Sequence, residues 1–248
     1  MTQRGWKCRV IAREVFDKHK CSEQFDDYIL VKGGLKRFYL VLARNLLFFR
    51  PDLILVRGQM YTLLRFIRFL AGKTPIILQL HGSEIRGKSE LPDITKYATK
   101  IIVSTRDLEQ WGEYYGSPIS PIFHPPKTGI RKPGTALFLR TKYGAKDCLQ
   151  EAIEFSEKRN LDLTIIDRTK GEDVPHTEMP KLMQQHEWYL DLKGLTSEKV
   201  LSKTAIEFLH TTSQESPGYV LTDDGTVLSE FETTSNEDYY KLFESLTD

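Results

Sequence analysis

Residues 75–87 read Pro-Ile-Ile-Leu-Gln-Leu-His-Gly-Ser-Glu-Ile-Arg-Gly. The run from Ile76 to Leu80 is almost wholly apolar, which predicts a strand buried on both faces of a parallel sheet. The strand pattern ends at His81 and Gly82, where a polar loop begins. Ligands of open α/β sheets collect beyond the carboxyl ends of the strands. His81 is therefore a candidate site residue, with a surface loop histidine as the alternative.

Strand and helix patterns alternate outward from this stretch, which is the signature of an α/β fold with parallel sheets. Strands are predicted at 6–13, 28–32, 53–56, 76–80, 100–104, 119–123, 136–139, 161–166, 188–192 and 219–222. Helices are predicted at 36–50, 61–70, 94–98, 106–115, 147–159, 179–185, 202–210 and 238–246. Phe38, Leu42 and Leu46 mark the buried stripe of the helix at 36–50.

The best linker lies at residues 124–134, which are rich in proline and glycine. It divides the chain into an N-terminal domain, residues 1–128, and a C-terminal domain, residues 129–248. Residues 1–130 carry 21 Lys and Arg against 12 Asp and Glu, whereas the rest of the chain carries 14 against 22. Such opposite halves indicate either different partners or domains that dock on each other.

Cysteine usage and hydropathy both favour a cytoplasmic protein. Cys8, Cys21 and Cys148 form no Cys-x-x-Cys pair, which argues against a zinc site or a disulfide framework. No apolar run approaches the roughly 18 residues that cross a bilayer. The N-terminal residues lack the apolar core of a signal peptide, so we expect cytoplasmic localisation.

A second informative stretch is the predicted helix at 202–210. Ser202 is a good N-cap, and a helix start with Lys203 beside it favours an anion. Glu207, about one turn further along, shares a helix face with Lys203 or Thr204. A phosphate at the helix start and a sugar hydroxyl at the carboxylate would describe a bound nucleotide. The alternative is an ordinary capped helix with a surface glutamate.

A third cluster follows the strand at 136–139. Arg140, Lys142 and Lys146 lie beyond its carboxyl end, where two or three cations can hold a diphosphate. A solvated basic loop is the alternative.

The order of these motifs resembles the GT-B glycosyltransferases, and most of all glycosyltransferase family 4 in a compact, archaeal-type form. Arg50-Pro-Asp-Leu-Ile-Leu-Val comes first, followed by the histidine-glycine element at 75–82 and Lys96-Tyr-Ala-Thr-Lys-Ile-Ile-Val-Ser-Thr. The linker, the basic loop and Ser202-Lys-Thr-Ala-Ile-Glu complete the series. The resemblance covers nearly the whole chain.

This resemblance implies two Rossmann-like domains with parallel sheets that face a cleft. The C-terminal domain would bind a sugar linked to UDP or GDP, and the N-terminal domain a glycan or lipid-linked acceptor. Such enzymes retain the anomeric configuration and need neither a metal nor another cofactor. By position, His81 with Gly82 is similar to the active-site element near the donor sugar. Arg140 and Lys146 resemble the phosphate clamp.

The helix start supplies the remaining donor-binding residues of the resemblance. Ser202, Lys203 and Thr204 match the helix start beside the phosphates. Glu207 matches the second glutamate of the Glu-seven-residues-Glu signature, which holds the ribose.

Three features depart from the family pattern. Lys199 stands where the first signature glutamate is expected, and the spacing from Arg140 to Lys146 is one residue longer. The first strand and its glycine-rich loop are absent, so the chain looks N-terminally shortened and begins where their helix ends. The alternative function is therefore a catalytically inactive GT-B-like module that binds a nucleotide, a glycan or a partner subunit. Nucleic acid is not expected, because the cations alternate with helix-face apolar residues.

The basic, aromatic-rich helices at 36–50 and 61–70 also predict peripheral attachment at the inner membrane face. The exposed Phe and Leu side chains of such helices insert into the headgroup layer of the membrane, and their cations are attracted to anionic lipid. Packing of the same apolar stripes on the sheet is the alternative.

Overall fold

The computed structural model describes residues 5–14, 27–82, 85, 88–116, 123, 131–141, 146–197, 200–213, 215–230 and 236–247. The fold is α/β with mainly parallel sheets, as predicted. The strands are β1 (Val10–Arg13), β2 (Tyr28–Val31), β3 (Ile54–Arg57), β4 (Ile76–Leu80), β5 (Lys100–Val103), β6 (Glu113–Tyr114), β7 (Lys132–Arg140), β8 (Asp162–Asp167), β9 (His186–Asp191), β10 (Tyr219–Thr222) and β11 (Val227–Leu228). The α-helices are α1 (Leu35–Phe49), α2 (Leu64–Ala71), α3 (Leu149–Lys158), α4 (Met179–Gln184), α5 (Lys203–His210) and α6 (Asn236–Thr247).

The chain divides into two compact units. The first comprises residues 1–101 with 243–248, and the second comprises residues 102–242. Residues 124–130 of the predicted linker lie outside the described part of the chain. Its last residues, from Lys132 to Gly134, are no linker, because they belong to β7, which begins earlier than predicted.

In the first unit β1 and β2 form a parallel pair, and β3 and β4 pair in parallel in a second sheet. Every residue of β4 is buried, which confirms the strand predicted from its apolar run. The predicted stripe of α1 is also confirmed, since Phe38, Leu42 and Leu46 are its buried residues. The helix ends where Pro51 disfavours helical backbone, and Arg50 takes a left-handed φ of 47°.

Two helix predictions are corrected. Only the second half of the helix predicted at 61–70 is α-helical, because Gly58–Leu63 forms a 3-10 helix. The helix predicted at 106–115 is wrong: Arg106–Leu108 makes one 3-10 turn, and β6 then pairs in parallel with β5. Gly112 in this stretch weakens a helix. The strand predicted at 119–123 lies outside the described residues except for Phe123.

The second unit contains a five-stranded sheet in the order β11-β10-β9-β7-β8. Its strands are parallel apart from β11, which pairs antiparallel with β10 and was not predicted. The order of β7 to β10 is that of a doubly wound sheet, in which the strand order reverses between β7 and β9. Ligands of such sheets bind at the carboxyl ends of the strands at this switch point.

Side chains of β7 alternate between two cores. Leu137 and Leu139 pack in the core that contains α4 and α5, whereas Ala136 and Phe138 pack in the core that contains α3. Helix α3 therefore covers one face of the sheet, and helices α4 and α5 cover the other.

Arg131 ties the segments at the amino end of this sheet together. Its guanidinium donates to the carbonyl oxygens of Met183 and His186, at 2.7 and 2.6 Å, and to the Thr211 hydroxyl at 2.8 Å. The guanidinium also lies 4.5 Å from the centre of the Phe208 ring. Burial lowers the pKa of Arg131 to about 10, which still leaves it charged at neutral pH.

Replacement of Gly218 by alanine is expected to destabilise the second unit. An added Cβ would lie 2.8 Å from Cζ of Arg131 and 2.9 Å from the Phe208 ring. Overpacking of this kind costs about 1–3 kcal/mol, to be measured by urea denaturation. Gly34→Ala is the control, because nothing lies within 4 Å of the added atom. Equal losses in the two variants would contradict this account of Gly218.

Candidate functional site

Polar side chains gather at the carboxyl ends of β8 and β9 and at the start of α5. Arg168 directly follows β8, while Tyr189 and Asp191 belong to β9 and Lys193 follows it. Tyr189 packs in the core under α5, with its ring 5.6 Å from that of Phe208. Strand side chains alternate between faces, so Asp191 also lies on the α5 face, and Lys193 stays with it through an ion pair.

The start of α5 is capped as the sequence predicts. The Ser202 hydroxyl accepts a hydrogen bond from the Ala205 N–H at 3.2 Å, which confirms Ser202 as the N-cap. The fully buried carboxylate of Asp191 accepts the Ser202 N–H at 2.8 Å. Its other oxygen, Oδ1, lies 3.5 Å from the Lys193 ammonium nitrogen. Asp191 thus links the end of β9 to the first turn of α5.

Glu207 is buried, with 5% of its surface exposed, so the surface glutamate of the alternative interpretation is excluded. Its Oε1 lies 3.4 Å from the Lys203 ammonium nitrogen, and the predicted shared helix face is therefore confirmed for Lys203. Burial raises the pKa of the Glu207 carboxyl, while the neighbouring Lys203 partly offsets that effect.

Several buried polar atoms of this cluster have no hydrogen-bond partner among the described residues. They are Asp191 Oδ1, Glu207 Oε1 and Arg168 Nε. Tyr189 Oη lies beside the Ser202 hydroxyl but without hydrogen-bond geometry. Native proteins pair the great majority of buried polar groups. A concentration of unpaired ones at a sheet switch point indicates a ligand site.

The unpaired atoms define the chemistry of that ligand. The carboxylate oxygens of Asp191 and Glu207 accept hydrogen bonds, which hydroxyl groups donate. Arg168, Lys193 and the first amides of α5 attract negative charge. A molecule that carries both hydroxyls and anionic groups fits the cluster.

One carboxylate fixes the loop between β9 and α5. Asp223 Oδ2 accepts the backbone N–H groups of Lys193, Leu195 and Thr196 at 2.8–3.1 Å. Burial opposes ionisation of Asp223, but the Thr196 hydroxyl and these amides lower its pKa overall. A tight turn follows directly, in which the Gly225 N–H donates to the Thr222 carbonyl at 3.0 Å.

The predicted basic cluster lies on the opposite face of the sheet. Arg140 shares its face with Ala136 and Phe138, and its guanidinium binds Asp147 and, at 2.9 Å, Asp167. Lys146 Nζ lies 2.6 Å from Glu151 Oε1, on α3. The structure therefore separates these two cations from Ser202, Lys203, Thr204 and Glu207. Lys142 lies outside the described residues.

His81 directly follows β4, as predicted, and is half-buried. The buried Gly82 has a φ of 112°, which side-chain-bearing residues rarely adopt. Gly82 therefore serves the backbone turn after β4, since its carbonyl accepts the Ile85 N–H at 3.0 Å. The roles of His81 and Gly82 at a donor sugar stay predictions.

Sequence reasoning did not single out Arg168, Tyr189, Asp191 or Lys193. Two signals mark them. Arg168 and Lys193 follow predicted strands at their carboxyl ends, the criterion that identified His81. Tyr189, Asp191 and Lys193 recur with a period of two, which assigns them to one face of the sheet.

Among the described residues, no group of three or more His, Cys, Asp or Glu side chains is arranged to hold a metal ion. Cys148 is a buried free thiol, and Cys21 lies outside the described part. Within that part, no helix is both long and apolar enough to cross a membrane. The chain matches no protein-family model, and no curated protein is significantly similar to it.

Glu207→Gln is expected to stabilise the protein at neutral pH. Because the folded state raises the pKa of Glu207 above its ordinary value of 4.5, the folded state binds the proton more strongly than the unfolded chain. Stability is therefore lost as the pH rises through the folded pKa. The neutral amide avoids this loss, so the variant should be more stable than the wild type at pH 7.

Chemical denaturation between pH 4 and pH 7 measures the difference, which should shrink toward the acidic end. The exposed Glu157, changed to Gln, is the control and should show no such trend. A Glu207→Gln variant less stable than the wild type at pH 7 would instead make the pair with Lys203 a net source of stability.

Proposed function

We propose that the chain is a retaining glycosyltransferase that moves a sugar from a nucleotide-sugar donor to a glycan or a lipid-linked acceptor. The observation that carries the proposal is the set of buried polar atoms near the start of α5 that have no hydrogen-bond partner among the described residues. Asp191 and Glu207 offer acceptors for hydroxyl groups, and the adjoining cations attract phosphate. A ribose diphosphate satisfies both requirements.

In this proposal Glu207 accepts hydrogen bonds from the ribose hydroxyls, and the first turn of α5 faces the phosphates. Negative charge develops on the nucleoside diphosphate as the glycosidic bond breaks. Preorganised dipoles and cations stabilise such charge, and they often supply the largest catalytic contribution. His81, at the end of β4, would act near the donor sugar, as the resemblance to family 4 implies. The mechanism assigns no step to a metal.

Binding is tested by thermal shift with UDP, GDP and their nucleosides. A ligand at about 100 times its dissociation constant stabilises the protein by roughly 2.7 kcal/mol. Glu207→Ala should lower the affinity for the ribonucleotide by about tenfold to a hundredfold, which corresponds to the loss of a hydrogen bond to a charged group. The matching 2′,3′-dideoxynucleotide should lose much less, because it lacks the hydroxyls that Glu207 binds.

If Glu207 only supports the fold, its replacement should lower the affinity for both nucleotides equally. That result would contradict the ribose assignment. Lys132→Met is the matched control: Lys132 is exposed at the start of β7 and pairs with Asp162 at 3.3 Å.

The alternative is an inactive binding module, which is favoured by the presence of Lys199 where the first signature glutamate is expected. Measurement of turnover distinguishes the enzyme from this module. His81→Ala should lower the rate of sugar transfer or donor hydrolysis more than it lowers nucleotide affinity. Activity should persist with a chelator. A wild-type protein that binds nucleotide yet turns over no donor sugar would support the inactive module.

We further propose that the first unit attaches to an anionic membrane surface. Helix α1 has a second apolar stripe besides its buried one. Leu40 and Phe48 are 71% and 81% exposed, and they share their side of the helix with Leu47 and the exposed Arg44. Sheet packing explains the stripe of Phe38, Leu42 and Leu46 but not this one.

A groove next to this stripe offers the exposed Arg44 to a phosphate headgroup, whereas Arg9 in the same groove already pairs with Asp27 at 2.8 Å. Arg9, Arg44, Asn45 and Phe48 line this groove of about 580 Å³. On α2, Phe69 is 83% exposed. Arg68, by contrast, is no membrane contact: it hydrogen-bonds the carbonyl oxygens of Gly72, Thr74 and Tyr97.

Co-sedimentation with vesicles containing phosphatidylglycerol tests this attachment. Binding should be strong at low salt and reversed by high salt, because screening weakens the attraction of cations to lipid. Phe48→Ser should reduce binding about tenfold or more, since burial of a large apolar side chain contributes about 1.5–3 kcal/mol. Val227→Ser, at an exposed position of β11, is the control. No binding at low salt would contradict the proposal.

A further inference from the structure

The cations near the switch point fall into two groups that differ in their partners. Arg140 is fully committed: Nε and Nη2 bind Asp147, and Nη1 binds Asp167. The Thr169 hydroxyl and the Arg140 guanidinium lower the pKa of Asp167 to about 2, so this partner is ionised at neutral pH. Lys146 is held at 2.6 Å by Glu151.

The second group lies on the α5 face and is held loosely. Lys193 Nζ is 3.5 Å from Asp191 Oδ1, and Arg168 Nε is 3.6 Å from Asp173 Oδ1. Both separations exceed the normal length of an N–H···O hydrogen bond, which is about 2.7–3.2 Å. Among the described residues, Arg168 Nε and Asp191 Oδ1 are buried without a hydrogen-bond partner.

The backbone brings these two cations within reach of one ligand. Arg168 follows β8 and its N–H pairs with the Arg140 carbonyl, whereas Lys193 follows β9 on the other side of β7. Two strand spacings, about 10 Å, separate their backbones. Long side chains from both sides can meet above the end of β7, which is the switch point of the sheet.

We propose that Lys193 and Arg168, together with the first amides of α5, hold the diphosphate of the bound nucleotide. The ligand class rests on the proposed function. Arg140 instead braces the segment between β7 and α3 by binding Asp147 and Asp167. Asp191 acts as a positioning residue, because one of its oxygens receives the Ser202 N–H and the other faces Lys193.

Calorimetric titration with UDP, GDP, uridine and guanosine tests this assignment. Lys193→Met and Arg168→Gln should each weaken the diphosphate by about tenfold to a hundredfold, the loss expected for a charged hydrogen bond. Affinity for the free nucleoside should change by less than about threefold, since it carries no phosphate. Lys132→Met should leave both affinities unchanged. If Lys193 has a purely structural role, Lys193→Met should lower the affinities for the nucleoside and the diphosphate together, and that result would overturn the assignment.

Lys193→Met leaves the buried carboxylate of Asp191 without its cation. A double variant, Asp191→Asn with Lys193→Met, removes both charges of this pair and should show the same selective loss of diphosphate affinity. Arg140→Met and Lys146→Met should show no selective loss. If these two variants weaken the diphosphate selectively while Lys193→Met does not, the inference is overturned and nucleotide binding still stands. If none of the four probes binds the wild type, the proposed function fails and this inference fails with it.

Discussion

Alternation of side chains along the strands of the five-stranded sheet determines which face each charged group near their carboxyl ends occupies. One set of β7 residues packs under α3 and the other under α4 and α5, so neither the register nor the direction of the strand can change without exposing a core. The same parity continues past the end of the sheet. Arg140 is directed toward Asp167 and the start of α3, and Asp191 toward the start of α5. Two electrostatic environments thus arise on the two faces of one sheet.

The α5 environment holds buried charge that contributes little to stability by itself. Desolvation of Asp191 and Glu207 is costly, and Lys193 and Lys203 approach them only at 3.5 and 3.4 Å. On the α3 face, by contrast, Arg140 satisfies its partners with direct hydrogen bonds. Such a difference is typical of a functional cluster beside a structural one, since binding sites retain groups that are poorly satisfied without a ligand.

The strands and most helices could be predicted because their signals are local. Apolar runs marked β4 and β7 to β10, and Ser202 marked the start of α5 to the residue. The helix predicted from Arg106 to Tyr115 is wrong, because a short apolar pattern fits the periodicity of a helix as well as that of a strand. Hydrogen bonding to β5 makes the end of this stretch a strand.

The site was only partly predictable for a different reason. Ser202, Lys203 and Glu207 share one helix, so their relation follows from helical spacing. The partners of Arg140, and the cluster of Arg168 with Lys193, depend on strands that are distant in sequence. Spacing along one strand places Lys193 on the same face as Asp191, but it does not show which side chains of a distant strand share that face.

The attachment of the loop after β9 to Asp223 has a consequence for the position of Lys193. Because one oxygen of Asp223 receives the amides of Lys193, Leu195 and Thr196, these bonds form and break as a set. Lys193 belongs to this loop, so its position depends on Asp223, which directly follows β10. A disturbance at that distant strand end would reach the α5 face through this one carboxylate.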